Sequence, residues 1–149
     1  VSRYVVDASV AMKWFVEEPW TKEAERILHP AAAVVVPELF FVEMANIAWK
    51  KVRRGDMDLA TARMVMDELP LLVAASDSGG ARLARRAFDL AHELQHPAYD
   101  CLYLATAEAE GVRLVTADHA FCEHVRGTVY ESSVHPIWTP VPPDDAPAP

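Results

Sequence analysis

Four acidic residues stand where carboxylates can do chemistry. Asp7 ends the apolar run of VSRYVVD and gives way at once to a helical pattern, ASVAMKWF. Asp118 ends a second such run, RLVTAD, in the same manner. Asp100 falls in HPAYDCLYLATAEAEG, in the first turn of a helix that is apolar almost all round. Glu43 lies in PELFFVEMANIAWKKVRRG, a helix with a single narrow polar arc. An all-oxygen carboxylate site prefers a hard ion such as Mg²⁺ or Mn²⁺ to zinc. Such an ion activates water and neutralises charge that develops in an in-line displacement. Taken as residues alone, the four acids point to a phosphate ester at a hard-metal site.

Each acid also has a purely structural explanation. Asp7 and Asp118 are good helix N-caps, worth about 1 kcal/mol apiece, and Asp100 would complement a helix dipole for roughly 0.3 to 1 kcal/mol. Glu43 and Lys50, two turns apart, could share a solvated stripe. Electrostatics favours the joint explanation. Two carboxylates about 4 Å apart repel by roughly 4 kcal/mol at an effective dielectric of 20, so several in one crevice call for a cation.

The elements that must position these residues alternate along the chain. Strands are expected at 3–7, 33–37, 71–75, 113–117 and, more weakly, 133–138, all short and apolar or β-branched as strands buried on both faces should be. Helices are expected near 8–17, 20–29, 37–54, 58–69, 81–95 and 98–110, with another possible after Asp118. Gly55 and Gly111 sit where C-caps belong, and Pro37 and Pro97 suit first helical turns. This alternation implies an α/β fold with a mainly parallel sheet of four or five strands and helices on both faces. In such a sheet chemistry collects at the carboxyl ends of the strands, so Asp7 and Asp118 should face one crevice. Residues 1–139 are expected to form one domain, and the Pro-rich 140–149 a disordered tail.

The polar arc of the helix at 37–54 holds Glu43, Asn46, Lys50, Arg53 and Arg54. A carboxylate leading to a basic ladder suits a site that takes up a phosphate chain, and Lys50, Arg53 and Arg54 are expected to meet the phosphates of the substrate. The net charge of −8 argues the other way only as an average. Setting aside the four acids above and the tail residues Asp144 and Asp145 leaves −2. Two cysteines, Cys101 and Cys122, are too few for a disulfide scaffold and fit a reducing compartment. The longest apolar runs fall far short of a membrane span, and no secretory core follows a basic start, so the chain reads as cytoplasmic.

The segments VVDASVAMKWFVEEPWTKEAERIL, PELFFVEMANIAWKKVRRG and AYDCLYLATAEAEGVRLVTADHAF resemble the successive blocks of the PIN-domain ribonucleases, particularly the VapC toxins of toxin–antitoxin pairs. The similarity runs in order from residue 3 to about residue 121. It implies a three-layer α/β/α sandwich, an acidic quartet at Asp7, Glu43, Asp100 and Asp118, bound Mg²⁺ or Mn²⁺, a homodimer, and a VapB-type antitoxin partner. In that arrangement Asp7, Asp100 and Asp118 hold the metal directly or through water, and Glu43 orients or deprotonates the attacking water. Ser9 and Thr116, beside the first and last acids, position carboxylates or ordered waters, with Asn46 as a further supporting residue on the polar arc. Some relatives carry a fifth acid shortly after Asp118; His119 to Cys122 supply none.

Rival chemistries fit less well. HELQH at 92–96 matches the helical zinc motif of metalloproteases, but Pro97 should end the helix at His96, and both histidines fall on its polar side with Arg85. Asp118, His119, Cys122 and His124 lack the usual zinc spacing. A phosphatase would want a second aspartate two residues after Asp7, where Ser9 stands, and a phospho-acceptor domain an acidic pair near the first strand. A non-catalytic RNA- or protein-binding module with the same fold is the remaining alternative. Trp14, Phe15, Trp20, Phe40, Phe41 and Trp49 are expected to divide between the core and a groove for an antitoxin segment.

Overall fold

The computed structural model describes residues 2–29 and 32–140; of the segment 140–149 expected to be a disordered tail, only Pro140 is among them. Five short strands, β1 (Ser2–Val6), β2 (Ala32–Val36), β3 (Ala74–Ala75), β4 (Arg113–Thr116) and β5 (Val134–Pro136), form one sheet in the order β3-β2-β1-β4-β5. Every neighbouring pair is parallel. Parallel neighbours cannot be joined by tight turns, so each connection carries helices. They are α1 (Ala8–Ala11) and α2 (Thr21–Ile27), α3 (Leu39–Arg54) and α4 (Leu59–Leu72), α5 (Gly80–Leu94) and α6 (Ala98–Glu110), and α7 (His119–Val125). The result is the α/β/α sandwich implied by the sequence.

Val5 pairs with Val35 on one side and Leu114 on the other, at the centre of the sheet. Val5, Val6, Val36, Leu114 and Val115 are buried, which is why these strands are apolar without alternation: helices cover both faces. The chain builds outward from β1 through β2 to β3, then returns to add β4 and β5 on the opposite side. That reversal leaves a crevice outside the carboxyl ends of β1 and β4, where the following loops diverge.

Several boundaries differ from those expected. The strand at 71–75 contracts to Ala74–Ala75, because α4 continues through Pro70 to Leu72. Leu69 and Val73, four residues apart, both bury against the core, and the Val73 amide still bonds the Leu69 carbonyl at 3.2 Å. A proline in the last turn forfeits one hydrogen bond, which that burial offsets. The helix at 8–17 breaks into α1 and a tighter turn over Met12–Trp14 that turns Met12 and Lys13 inward. Pro37 lies in the turn before α3, and Pro97 is the N-cap of α6 rather than part of its first turn. Gly55 and Gly111 close α3 and α6 with φ of 79° and 65°, the left-handed conformation that glycine adopts without strain.

Phe40 is buried, Trp14, Phe15 and Phe41 pack partly against the core, and Trp20 and Trp49 are exposed. Cys101 and Cys122 are buried free thiols. Among the described residues, no helix is long and apolar enough to cross a membrane.

Candidate active site

Asp7 follows β1 directly and caps α1, its Oδ1 accepting from the Val10 amide at 3.1 Å. Asp118 lies two residues past β4 and caps α7, accepting from the Phe121 amide at 3.0 Å. The capping role and the placement in the crevice are therefore the same fact: a strand that runs straight into a helix brings its cap to the carboxyl edge of the sheet.

Two hydroxyls tie these strand ends together. Ser9 Oγ donates to Asp7 Oδ1 at 2.5 Å and accepts from the Ala117 amide at 3.1 Å. The Thr116 hydroxyl donates to Asp7 Oδ2 and accepts from the Asp118 amide at 3.0 Å. Both oxygens of Asp7 are thus held by donors, and the loops after β1 and β4 are locked to each other.

The other two acids arrive on helices. Asp100 occupies the first turn of α6, and Tyr103, one turn further along and buried, donates a hydrogen bond from its hydroxyl to Glu43 Oε2 on α3 at 2.7 Å. Burial pushes the Asp7 carboxyl up to about 6, against the opposing hydrogen bonds of Ser9, Thr116 and Val10 and with the charge of Asp100 adding to the rise. Burial likewise raises Glu43, opposed by the Tyr103 hydrogen bond and reinforced by Asp100. Burial, with Asp118 and Asp7 following, pushes the Cys122 thiol up to about 11. The charge of Asp100 is thus felt by both Asp7 and Glu43.

His96 joins this group, and sequence reasoning missed it. Its Nε2 lies 2.6 Å from Asp100 Oδ2, and one ligand atom each from His96, Asp100 and Asp118 lie within 4.8 Å of one another. Asp7 and Glu43 stand outside that trio and are joined to it through the field of Asp100. The expectation that His92 and His96 share the polar face of one helix is overturned. Helix α5 ends at Leu94, Gln95 adopts a left-handed φ of 52°, and this turn leaves His92 exposed while sending His96 inward. The signal available in the sequence was His96 four residues before Asp100, straddling Pro97. Asp118, His119, Cys122 and His124 do not converge either: His119 stacks on Trp138 with ring centroids 3.9 Å apart, and His124 faces His96.

Beside the acids, Lys50 and Arg54 line a cavity of about 390 Å³ together with Lys13, Lys51, Glu18 and Ser9. Glu18 bridges the two remaining lysines, 3.1 Å from Lys13 Nζ and 3.1 Å from Lys51 Nζ. Arg53 does not line this cavity; its guanidinium lies 5.5 Å from the Trp49 ring centroid. Asn46 is exposed on α3 and takes no part in the hydrogen bonds that hold the acids. The donor set of carboxylates plus one imidazole, with Asp7 and Glu43 driven toward their protonated forms, fits a divalent cation that would relieve the repulsion.

Residues 4–126 match the PIN domain. Ribonuclease VapC3 of Pyrobaculum aerophilum is 33% identical over 122 residues, 81% of this chain and 93% of its own. Solved structures similar in fold include the following two. PAE2754 from Pyrobaculum aerophilum has a TM-score of 0.63 at 23% identity, with 86% of this chain and 90% of that chain covered. VapBC2 from Rickettsia felis, bound to a DNA fragment from its promoter, has a TM-score of 0.64 at 12% identity, with 90% and 98% covered.

Proposed function

The chain belongs to the PIN-domain family, and on that premise we propose that it is a metal-dependent ribonuclease acting as the toxin of a toxin–antitoxin pair. The observation that supports this reading is Asp100 at the carboxyl edge of the sheet, with an Asp118 oxygen within 4.8 Å and its charge raising both Asp7 and Glu43, beside a basic cavity that opens onto Ser9.

Asp7, Asp100 and Asp118 would hold Mg²⁺ or Mn²⁺, which when bound activates water and neutralises charge at the phosphoryl group. Ser9 and Thr116 fix the orientation of Asp7, so the carboxylate does not need to reorganise when an ion enters. Glu43, held by the Tyr103 hydroxyl, orients the attacking water and takes its proton. Lys50 and Arg54, with Lys13 and Lys51 behind them, hold the RNA backbone phosphates beside the acids. No nucleophilic serine or cysteine takes part: Ser9 is bonded to Asp7, and both thiols are buried.

The partner is a VapB-type antitoxin. VapBC2 of Rickettsia felis supports this assignment, as does an apolar groove of about 390 Å³ between α3 and α4, lined by Trp49, Val52, Leu59 and Met66. An antitoxin segment that carries Arg or Lys to the acids would shut the enzyme down. The protein is a cytoplasmic homodimer in this reading. Purified chain should cleave RNA when Mg²⁺ or Mn²⁺ is added, and both EDTA and Asp100→Asn should stop it. Cleavage that survives either change would sink the proposal.

A further inference from the structure

We propose that His96 is a nitrogen ligand of this metal site, oriented by His124, and that the site therefore takes Mn²⁺ in preference to Mg²⁺. The inference rests on the metal-dependent reading above and deepens it.

His96 is built in, not incidental. Its side chain is only 6% exposed, and its ring lies 4.9 Å from that of Phe121 on α7. Its backbone is fixed at both ends of the α5–α6 turn, the amide bonding the Ala91 carbonyl at 3.2 Å and the carbonyl accepting from the Cys101 thiol at 3.8 Å. Nε2 points at Asp100, and Asp118 completes the trio of ligand atoms. Both nitrogens of His96 engage side chains, Nε2 at Asp100 and Nδ1 at His124.

The second nitrogen supplies the independent observation. His96 Nδ1 lies 2.6 Å from His124 Nδ1, close enough that one proton must be shared between them. When His96 keeps that proton on Nδ1 and donates it to His124, the lone pair of Nε2 faces the carboxylates, which is the ligand form. Metal-binding histidines characteristically give their other ring N–H to such an acceptor, which sets tautomer and ring orientation. Without an ion, the other tautomer serves: Nε2–H donates to Asp100, and His124 donates to His96. The same row of atoms has one hydrogen-bonded arrangement for the ion and one for the proton.

The nitrogen has a consequence for metal choice. Mg²⁺ demands oxygen ligands and gives up its water reluctantly, whereas imidazole suits transition ions. One imidazole among three carboxylates keeps the site hard enough for Mn²⁺ while handicapping Mg²⁺.

The test uses the untagged full chain loaded with Mn²⁺ and pulsed electron paramagnetic resonance, which reads nitrogen bound directly to the ion. Wild type should show the nitrogen coupling, and His96→Gln and His96→Asn should lose it while still binding Mn²⁺. Competition between the two ions should show the Mn²⁺ preference falling about tenfold in those variants, within the usual effect of disturbing a ligand shell. Exposed His124→Ala should keep the nitrogen signal and weaken Mn²⁺ binding severalfold. If Mn²⁺ binds to wild type without nitrogen coupling, or the coupling persists in both His96 variants, the inference is overturned and the nuclease reading stands. If wild type binds no Mn²⁺ at all, both fall. The wild-type spectrum decides even if a His96 variant fails to fold.

Discussion

Asp7 carries opposite obligations, and pH separates them. It caps a helix and receives three hydrogen bonds, all of which favour the carboxylate, yet burial raises it from 3.8 to about 6. A carboxyl raised in the folded state lends stability that is complete below about pH 4 and is lost as pH climbs through about 6. Over that window the loss is about 3 kcal/mol. In EDTA, the melting temperature of wild type minus that of Asp7→Asn should therefore fall between pH 4 and pH 6. Mg²⁺ or Mn²⁺ should reverse the trend for wild type alone, since the ion competes with the proton. A difference that is flat with pH would show that Asp7 is solvated and not strained. Asp7 and Asp118 were legible in the sequence because a strand leading directly into a helix puts a capping residue and a site residue at one place. His96 was not, because a helical wheel assumes that the helix continues. The left-handed Gln95 breaks that assumption one residue too early for any pattern of apolar residues to reveal.

Helix α3 joins the acids to the basic cavity. Glu43 is followed at helical spacing by Ile47, Lys50 and Arg54 along the face that borders the cavity, while Arg53 turns toward Trp49. In an inactive Asp100→Asn background, Lys50→Ala with Arg54→Ala should weaken RNA binding across sequences. It should also flatten the slope of log K against log salt by about 1.4, from about 0.7 per phosphate contact on a single strand. Arg53→Ala should leave that slope nearly unchanged; a slope that drops equally would return Arg53 to the phosphate path. Glu18 has a structural duty on the same wall, since Lys13 is buried and depends on it. Glu18→Ala should cost about 1 to 3 kcal/mol in a denaturant melt, the range for stranding a buried donor. At this scale the strand at 71–75 was misjudged for a definite reason. A short continuous apolar run cannot distinguish a buried strand from the end of a buried helix, and Leu69 with Val73 made it the latter.

For the whole molecule, the order β3-β2-β1-β4-β5 decides more than any single contact. Alternating strand and helix patterns were enough to reach a parallel sheet with covered faces. The pairing of β1 with β4 follows from no local pattern, because it depends on where the chain reverses. The exposed tryptophans Trp20 and Trp49 belong to this scale too. Binding of the antitoxin should shift tryptophan emission to the blue and restore growth to cells expressing the chain, and Trp49→Ala should diminish the shift. An emission spectrum unmoved by a partner that does bind would place the contact elsewhere. The hydroxyl bond from Thr116 to Asp7 spans a sequence separation of 109 residues. Until β4 has been synthesised and has slotted in beside β1, Asp7 has lost one of its holders and Asp118 has no place to stand. A chain still on the ribosome therefore has no assembled acidic site until β4 has emerged and paired with β1. On the proposed function, that delay protects the transcript being read from the product it encodes.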